Sequence, residues 1–415
     1  MKSDPKLAIN GGVKSKTVPY GTGQRFDAAE LDRLKEALDQ NTLFYGFGHL
    51  VKQACERMQT YTGMPHVVPC SSGTSAIHLG LIACGIGPGD EVIVTPNTDS
   101  GSVIGIIEEG AVPVFCDCDE TLQPTLESVQ ACVTEYTRAV IVVHLAGYPA
   151  PVDAIAAWCS ERGIGVVEDC AQSWGTRLNG QLVGSFGTAG AYSTNDFKHI
   201  STGDGGFVAV RDPELYRRVS NYSDKHYDRL FDNTRRQAHH GMNYRMSELQ
   251  GAVALAQMDK VDSITSGFNR VGQAMEAGLK GLPGARMIPT LKGGYSTYWW
   301  SALLIDPDRF DGTRDELAAA LQAEGVSAGS YGQYDLIQTR LFQERVVRPW
   351  LKGPRRHYPL VQPDGRSYTY DYRKTPVHKR LLDTAIRLSI SHWYTDQDVR
   401  ETVDGVRKVL TAFAR

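Results

Sequence analysis

The chain has 415 residues, a formal net charge of −3 from 44 basic and 47 acidic side chains, and 41% apolar residues. That length accommodates one large and one smaller domain. The charge balance offers no basic field for nucleic acid or an acidic membrane surface, and no apolar run is long enough to span a bilayer.

The first residues, Met1 to Lys6, lack the apolar core of a secretion signal. Eight cysteines, at 55, 70, 84, 116, 118, 132, 159 and 170, include no C-x-x-C pair and no partner at zinc spacing. Reduced thiols, no metal and a cytoplasmic location are expected. Residues 7–25 read as an irregular arm. Asp27 and Glu30 form a capping box before Leu31, Leu34 and Leu38 at helical spacing. A second helix is expected over 49–62, ending near Gly63. Strands then alternate with helices: strand 67–69, helix to Cys84, strand 91–95, helix 99–109, strand 111–116, helix 124–134, strand 139–144, helix 153–162 and strand 165–169. Strands 187–193 and 205–210 extend the series. Such alternation implies an α/β fold with a mostly parallel sheet covered on both faces.

A helix over 246–260 closes a large domain set at residues 1–265. Residues 266–415 read as a smaller α+β domain, with an aromatic strand region 295–305 and helices 314–324 and 396–413. Between them, 340–380 reads as a basic loop carrying Arg345, Arg348, Lys352, Arg355, Arg356, Arg366, Arg373 and Lys374. Its charges are either solvated or face an anionic substrate such as a sugar phosphate or nucleotide sugar.

Three features carry chemistry. Asp169 ends a parallel strand, where open α/β sheets bind ligands. Lys198 lies in a polar loop before the turn Gly203, Asp204, Gly205, Gly206. A strand-end acid followed by such a lysine suggests pyridoxal phosphate, with the lysine bonded to the cofactor's aldehyde and the acid paired with its ring nitrogen. Ser72, Gly73, Thr74 and Ser75 follow a strand and open a helix, where free amides and hydroxyls hold phosphate. Each has an ordinary alternative: a helix cap, a solvated lysine, a plain turn. No nucleoside-triphosphate or dinucleotide motif is present.

The order of these motifs is more specific than any one of them. S-S-G-T-S at 71–75, E-D-C-A-Q at 168–172, S-x4-K-x4-G-D-G-G at 193–206 and G-M-N-Y-R-M-S-E at 241–248 resemble the DegT/DnrJ/EryC1/StrS family of sugar aminotransferases. The stretches 87–94, 143–147 and 396–399 extend the likeness from about residue 7 to the C-terminus. The resemblance implies the fold type I of pyridoxal-phosphate-dependent transferases, like aspartate aminotransferase, with a seven-stranded, mostly parallel sheet. It implies that Lys198 carries the cofactor and Asp169 pairs with its nitrogen. Gln172 is placed by the ring's 3-hydroxyl, and Gly73, Thr74, Ser75 and Ser193 at the phosphate. Asn243 is placed at the phosphate of the other subunit in a homodimer with shared sites, and His144 and Trp174 on the cofactor or substrate side. The implied reaction moves an amino group from glutamate or glutamine to a keto-sugar or keto-cyclitol, in amino-sugar or antibiotic biosynthesis. One departure stands out: Asp99 occupies the position where the family carries an aromatic residue stacked on the cofactor ring, so an acid there contacts a polar group of the substrate or the cofactor's edge. Two other readings share the fold: a sugar dehydratase, whose relatives replace the lysine by histidine, and a non-catalytic regulator. Lys198 argues against both.

Overall fold

The computed structural model describes residues 4–229, 239–332 and 335–415. Strands β1 (His66–Cys70), β2 (Glu91–Val94), β3 (Val112–Phe115), β4 (Thr137–Val143), β5 (Gly165–Asp169), β6 (Arg177–Leu178), β7 (Gln181–Leu182), β8 (Ala189–Ser193) and β9 (Gly206–Val210) occupy the first half. Seven of them form one sheet in the order β1-β9-β8-β5-β4-β2-β3. From β8 to β3 every pairing is parallel, and β9 runs antiparallel between β8 and β1. The central strands read as unbroken apolar runs because helices cover both faces.

Helices α1 (Ala28–Asp39), α2 (Leu50–Thr62), α3 (Gly73–Cys84), α4 (Gly101–Glu108), α5 (Leu126–Gln130), α6 (Val152–Ser160) and α7 (Pro213–Ser223) flank this sheet. α5 is half the expected length. α3 is apolar almost all round and enclosed, which fits a helix in the middle of a large core. Gly80 lets it approach closely: a Cβ there would lie 2.7 Å from Val167 Cγ1 on β5. Gly105 does the same between α4 and α3, where a Cβ would meet His78 Cα at 2.9 Å. In α1 the apolar positions do not all face inward. Leu31 and Leu38 are exposed and Glu30 is buried, bonded to Lys260, Gln257 and the Asp27 amide.

α8 (Glu248–Leu279) has 32 residues and runs through position 265, where the domain break was expected. A second sheet starts only afterwards. Its strands β10 (Ala285–Met287), β12 (Trp300–Ile305), β13 (Ala328–Ser330) and β14 (Ile386–Ser389) pair in the order β10-β12-β14-β13, all antiparallel; β11 (Gly294–Tyr295) pairs instead with β6, which also pairs with β7. Helices α9 (Arg314–Ala323), α10 (Arg340–Gln343), α11 (Pro376–Thr384) and α12 (Asp396–Phe413) complete the chain. The N-terminal arm, grouped with the large domain from sequence, packs against these C-terminal elements. Lys16 Nζ meets Asp398 Oδ1 at 2.7 Å, and the amides of Ala8 and Ser15 donate to Glu324.

The basic segment is anchored by its aromatic residues, while the charges of Lys352, Arg355, Arg373 and Lys374 stay exposed. It lies along β3, the open edge of the main sheet: the Tyr370 hydroxyl donates to the Pro113 carbonyl, and Phe115, Phe342 and Tyr370 pack ring on ring. Covering an edge strand removes an unpaired ladder from solvent. Several of its arginines are paired locally, Arg340 with Glu344, Arg366 with Asp364 and Arg373 with Asp371. The segment ends in α11, whose N-cap Thr375 makes no side-chain cap. Instead Asp117, just past β3, accepts the Val377 and His378 amides at 2.9 Å each. Asp117→Ala is expected to raise amide exchange across 376–384 by roughly 5- to 30-fold, matching a lost cap of about 1–2 kcal/mol, with α3 unchanged; hydrogen-exchange mass spectrometry reads both.

Candidate active site

The site is built where the carboxyl ends of the parallel strands meet the N-terminus of α3. Asp169 closes β5 and is buried. Its Oδ2 accepts the Ser102 hydroxyl at 2.7 Å, and its Oδ1 the Ala171 amide at 3.0 Å. Ser102, in the first turn of α4, shares a further hydrogen bond with Thr98 at 2.7 Å. Burial pushes the Asp169 carboxyl above its ordinary value, against the Ser102 and Ala171 bonds and the charge of Lys198, while Asp99 adds to the rise.

Lys198 lies between β8 and β9, and burial lowers its amine's affinity for a proton, with Asp169 and Asp99 pulling the other way. Its Nζ sits 4.5 Å from the ring centroid of Trp299. His199, beside it, is enclosed; burial pushes it down to about 3, so it stays neutral.

Ser72 caps α3 by accepting the Ser75 amide at 3.0 Å, and the Ser75 hydroxyl is within bonding distance of both Ser71 and Ser72, at 3.0 and 2.8 Å. Ser75 is therefore engaged in the cap itself. The amides of Gly73 and Thr74 have no partner among the described residues. Gly73 faces Ser193 so closely that a Cβ would lie 2.5 Å from its Cβ and 2.8 Å from its Oγ. Thr74 adjoins Asp99 across Gly101, where a Cβ would lie 2.8 Å from Thr74 Oγ1 and 3.2 Å from Asp99 Oδ1. Asp99 is exposed, with Oδ1 accepting the Gly101 amide at 2.8 Å.

Gln172 accepts the Ala146 amide at 3.0 Å, fixing a turn in which Ala146 has φ +59°. His144 and Trp174 are committed to the interior. His144 accepts the Ala150 amide on Nδ1 and faces Glu168 through Nε2 at 3.1 Å; Trp174 donates to the Ser193 carbonyl at 2.8 Å. His144, Glu168 and Cys170 bring three ligand-type atoms within 4.8 Å of one another. Glu168 already accepts the amides of Gly184, Phe186 and Gly187, and burial holds the Cys170 thiol protonated, so the group is a hydrogen-bonded layer under the sheet. Asn243 stands apart: it is exposed and bridged through its backbone to Asp224, with no bond to Gly73 or Ser193 among the described residues.

The structure thus gathers Asp169, Lys198, Gly73, Thr74, Ser193, Asp99 and Gln172 into one neighbourhood at the carboxyl ends of the strands. Ser102, Thr98 and Trp299 were not found from sequence: two are small hydroxyl residues without a motif, and the third sits in a run legible only as strand. The donor set suits pyridoxal phosphate. Among the described residues, two amides without partners and a hydroxyl form a cradle that a Cβ at Gly73 would fill, no cation is bonded to the buried Asp169 carboxylate, and a desolvated amine lies within its electrostatic reach.

Comparisons with known proteins agree. A model of the DegT/DnrJ/EryC1/StrS aminotransferase family matches residues 24–351. The L-glutamine:2-deoxy-scyllo-inosose aminotransferase of Streptomyces fradiae is 36% identical over 305 residues, 71% of this chain and 72% of that one. A UDP-N-acetyl-3-dehydro-alpha-D-glucosamine 3-aminotransferase of Acidithiobacillus ferrooxidans is 34% identical over 293 residues, 69% and 75% of the two chains. Among solved structures, an aminotransferase from Psychrobacter cryohalolentis superposes with a TM-score of 0.83 at 25% identity, covering 95% of this chain and 100% of that one.

Two measurements test the geometry. Gly73→Ala is expected to weaken cofactor retention roughly 5- to 160-fold, the effect of overpacking by about 1–3 kcal/mol, with the folded content unchanged by circular dichroism. Asp99→Asn keeps the Gly101 bond but removes a charge that favours protonated Lys198. The pH midpoint of the lysine-bound cofactor's visible absorbance should therefore fall, by about 0.3–1 unit.

Proposed function

This chain belongs to the DegT/DnrJ/EryC1/StrS aminotransferase family and is a pyridoxal-phosphate-dependent aminotransferase, and from that premise we propose that it moves an amino group from glutamine or glutamate to the ketone of a keto-sugar or keto-cyclitol. The observation that carries the reading is the desolvated Lys198 amine set beside the buried Asp169 and the Gly73–Ser193 cradle. The substrate class rests on the relatives, one named for a keto-cyclitol and one for a nucleotide keto-sugar.

Pyridoxal phosphate supplies an electron sink conjugated to the carbon whose proton moves. The residues' parts follow from their positions. The Gly73 and Thr74 amides and the Ser193 hydroxyl bind the phosphate oxygens, with the positive end of α3 behind them. Asp169, held by Ser102 and Ala171, would keep a proton on the ring nitrogen, and Gln172 would lie by the ring's 3-hydroxyl. Lys198, whose affinity for a proton burial lowers, would hold the cofactor through its aldehyde, and its Nζ would take the proton that leaves the donor's α-carbon and return it to the acceptor. Asp99 offers its free oxygen to a polar group of the substrate.

The reading includes a homodimer in which Asn243 completes the partner's phosphate site. Asn243's exposure and the exposed apolar positions Phe26, Leu31, Leu38, Leu43 and Phe47, between 43% and 68% accessible, support it, since such clustering suits an interface between copies. Eight free cysteines, each with its thiol raised by burial, fit a reducing cytoplasm. No helix among the described residues is long and apolar enough to cross a membrane. The reading places the reaction in amino-sugar or antibiotic biosynthesis.

The purified protein, loaded with cofactor, should lose its visible absorbance on adding L-glutamine or L-glutamate and regain it with one member of a panel holding a keto-cyclitol, a keto-sugar phosphate and a nucleotide keto-sugar. Lys198→Ala should abolish both steps. Recovery by none of the ketones, or cycling that survives Lys198→Ala, would overturn the reading.

A further inference from the structure

We propose that Trp299 is a catalytic residue of this enzyme: the face of its indole receives the protonated Lys198 amine after the donor has displaced it, and so helps the lysine take the proton of the donor's α-carbon. The inference rests on Lys198 being the cofactor's lysine, as read above.

The indole is aimed and fixed. Its Nε1 donates to the carbonyl of Phe197, the residue before Lys198, at 2.8 Å. Its backbone amide donates at 2.9 Å to Ala146, in the turn that Gln172 holds from the other side. Trp299 is thus tied both to the lysine's own loop and to the turn beside Asp169, and the Nζ-to-centroid distance of 4.5 Å lies within cation–π range.

No carboxylate contacts the amine. Among the described residues no hydrogen bond or ion pair reaches Lys198 Nζ, and the groups that face it act from further away: Asp169 at the end of β5, Asp99 after β2, and the neutral His199 in its own loop. A base buried in this way has little to stabilise the charge it acquires. The step balances simply: the donor's Cα–H bond breaks, a bond forms between that proton and Nζ, the electron pair stays with the carbon and its conjugated partner, and Nζ returns the proton in the second half of the transfer. The negative face of the indole, its centroid 4.5 Å from Nζ, favours Nζ in its charged form without a carboxylate that would hold the proton too tightly. Trp contributes more than Phe in this role and Leu nothing, over a range of roughly 2- to 30-fold.

The test is a series of fluorinated tryptophans placed at position 299 alone, which keeps shape and the Nε1–H bond while draining the ring face, with Trp299→Phe and Trp299→Leu beside it. In the cofactor-free protein, the pH dependence of Lys198 acylation, followed by peptide mass spectrometry, gives the amine's titration midpoint. That midpoint should fall stepwise with fluorination. In the loaded enzyme, the glutamine half-reaction should slow in the same order, up to roughly 30-fold, and its α-deuterium isotope effect should rise, with cofactor retention constant. A flat series in both midpoint and isotope effect overturns the proposal. Borohydride reduction with peptide mapping separates the two levels: cofactor trapped on Lys198 with a flat series removes only Trp299's role, whereas cofactor trapped elsewhere removes the reading of Lys198 as well.

Discussion

The contact between α3 and β5 governs the placement of nearly everything else. Gly80 has no side chain, so the helix backbone settles directly against Val167. From that point the N-terminus of α3 lies about 10 Å along its axis, and Asp169 about 7 Å along β5. Helix and strand run in opposite senses, so both ends open at the same edge of the sheet. The cradle at Gly73 and the carboxylate at Asp169 are thereby set at a fixed separation. The parallel pairing of β5 with β8 brings Ser193 opposite Gly73, and the turn into β9 carries Lys198 over the cleft.

Inside the cleft, burial outweighs attraction. Asp169 and Lys198 are of opposite charge and each favours the ionised form of the other, yet both are driven toward neutrality. Desolvation exceeds a Coulomb interaction that is not backed by direct contact. Such a pair is poised rather than satisfied. A protonated ring nitrogen bound beside Asp169 would give the carboxylate a cation, while the lysine keeps an amine ready for a carbonyl. Asp99 adds negative charge on the exposed side, and Trp299 closes the other side with a surface that accepts a cation without binding its proton.

The perimeter serves this centre indirectly. Just ahead of the segment along β3, residues 335 and 336 reach the loop that carries Thr98 and Asp99: the Leu336 amide donates to the Pro96 carbonyl, and Asn97 forms a bridge with Asp335, which in turn meets His378. That loop is irregular and leads straight into Ser102 on α4, so its conformation depends on being held from outside. At the opposite end of the chain, the arm's Lys16 lies between Asp398 and Glu401 on α12.

The sequence alone determined the alternation of strand and helix from 66 to 169 and the ends of β5 and α12 to the residue. These are local properties: apolar period, caps and glycine positions are written in neighbouring residues. It did not determine that Ser75 is used up by its own cap, that His144 turns to Glu168, that α8 runs on past residue 265, or that Leu31 and Leu38 face outward. Nor did it mark Ser102 and Trp299, which lie 67 and 101 positions from Asp169 and Lys198 respectively. Only the tertiary structure decided these, because a hydroxyl or an indole acquires its role from the group it is packed against, and that group is chosen by the crossing of distant elements rather than by spacing along the chain.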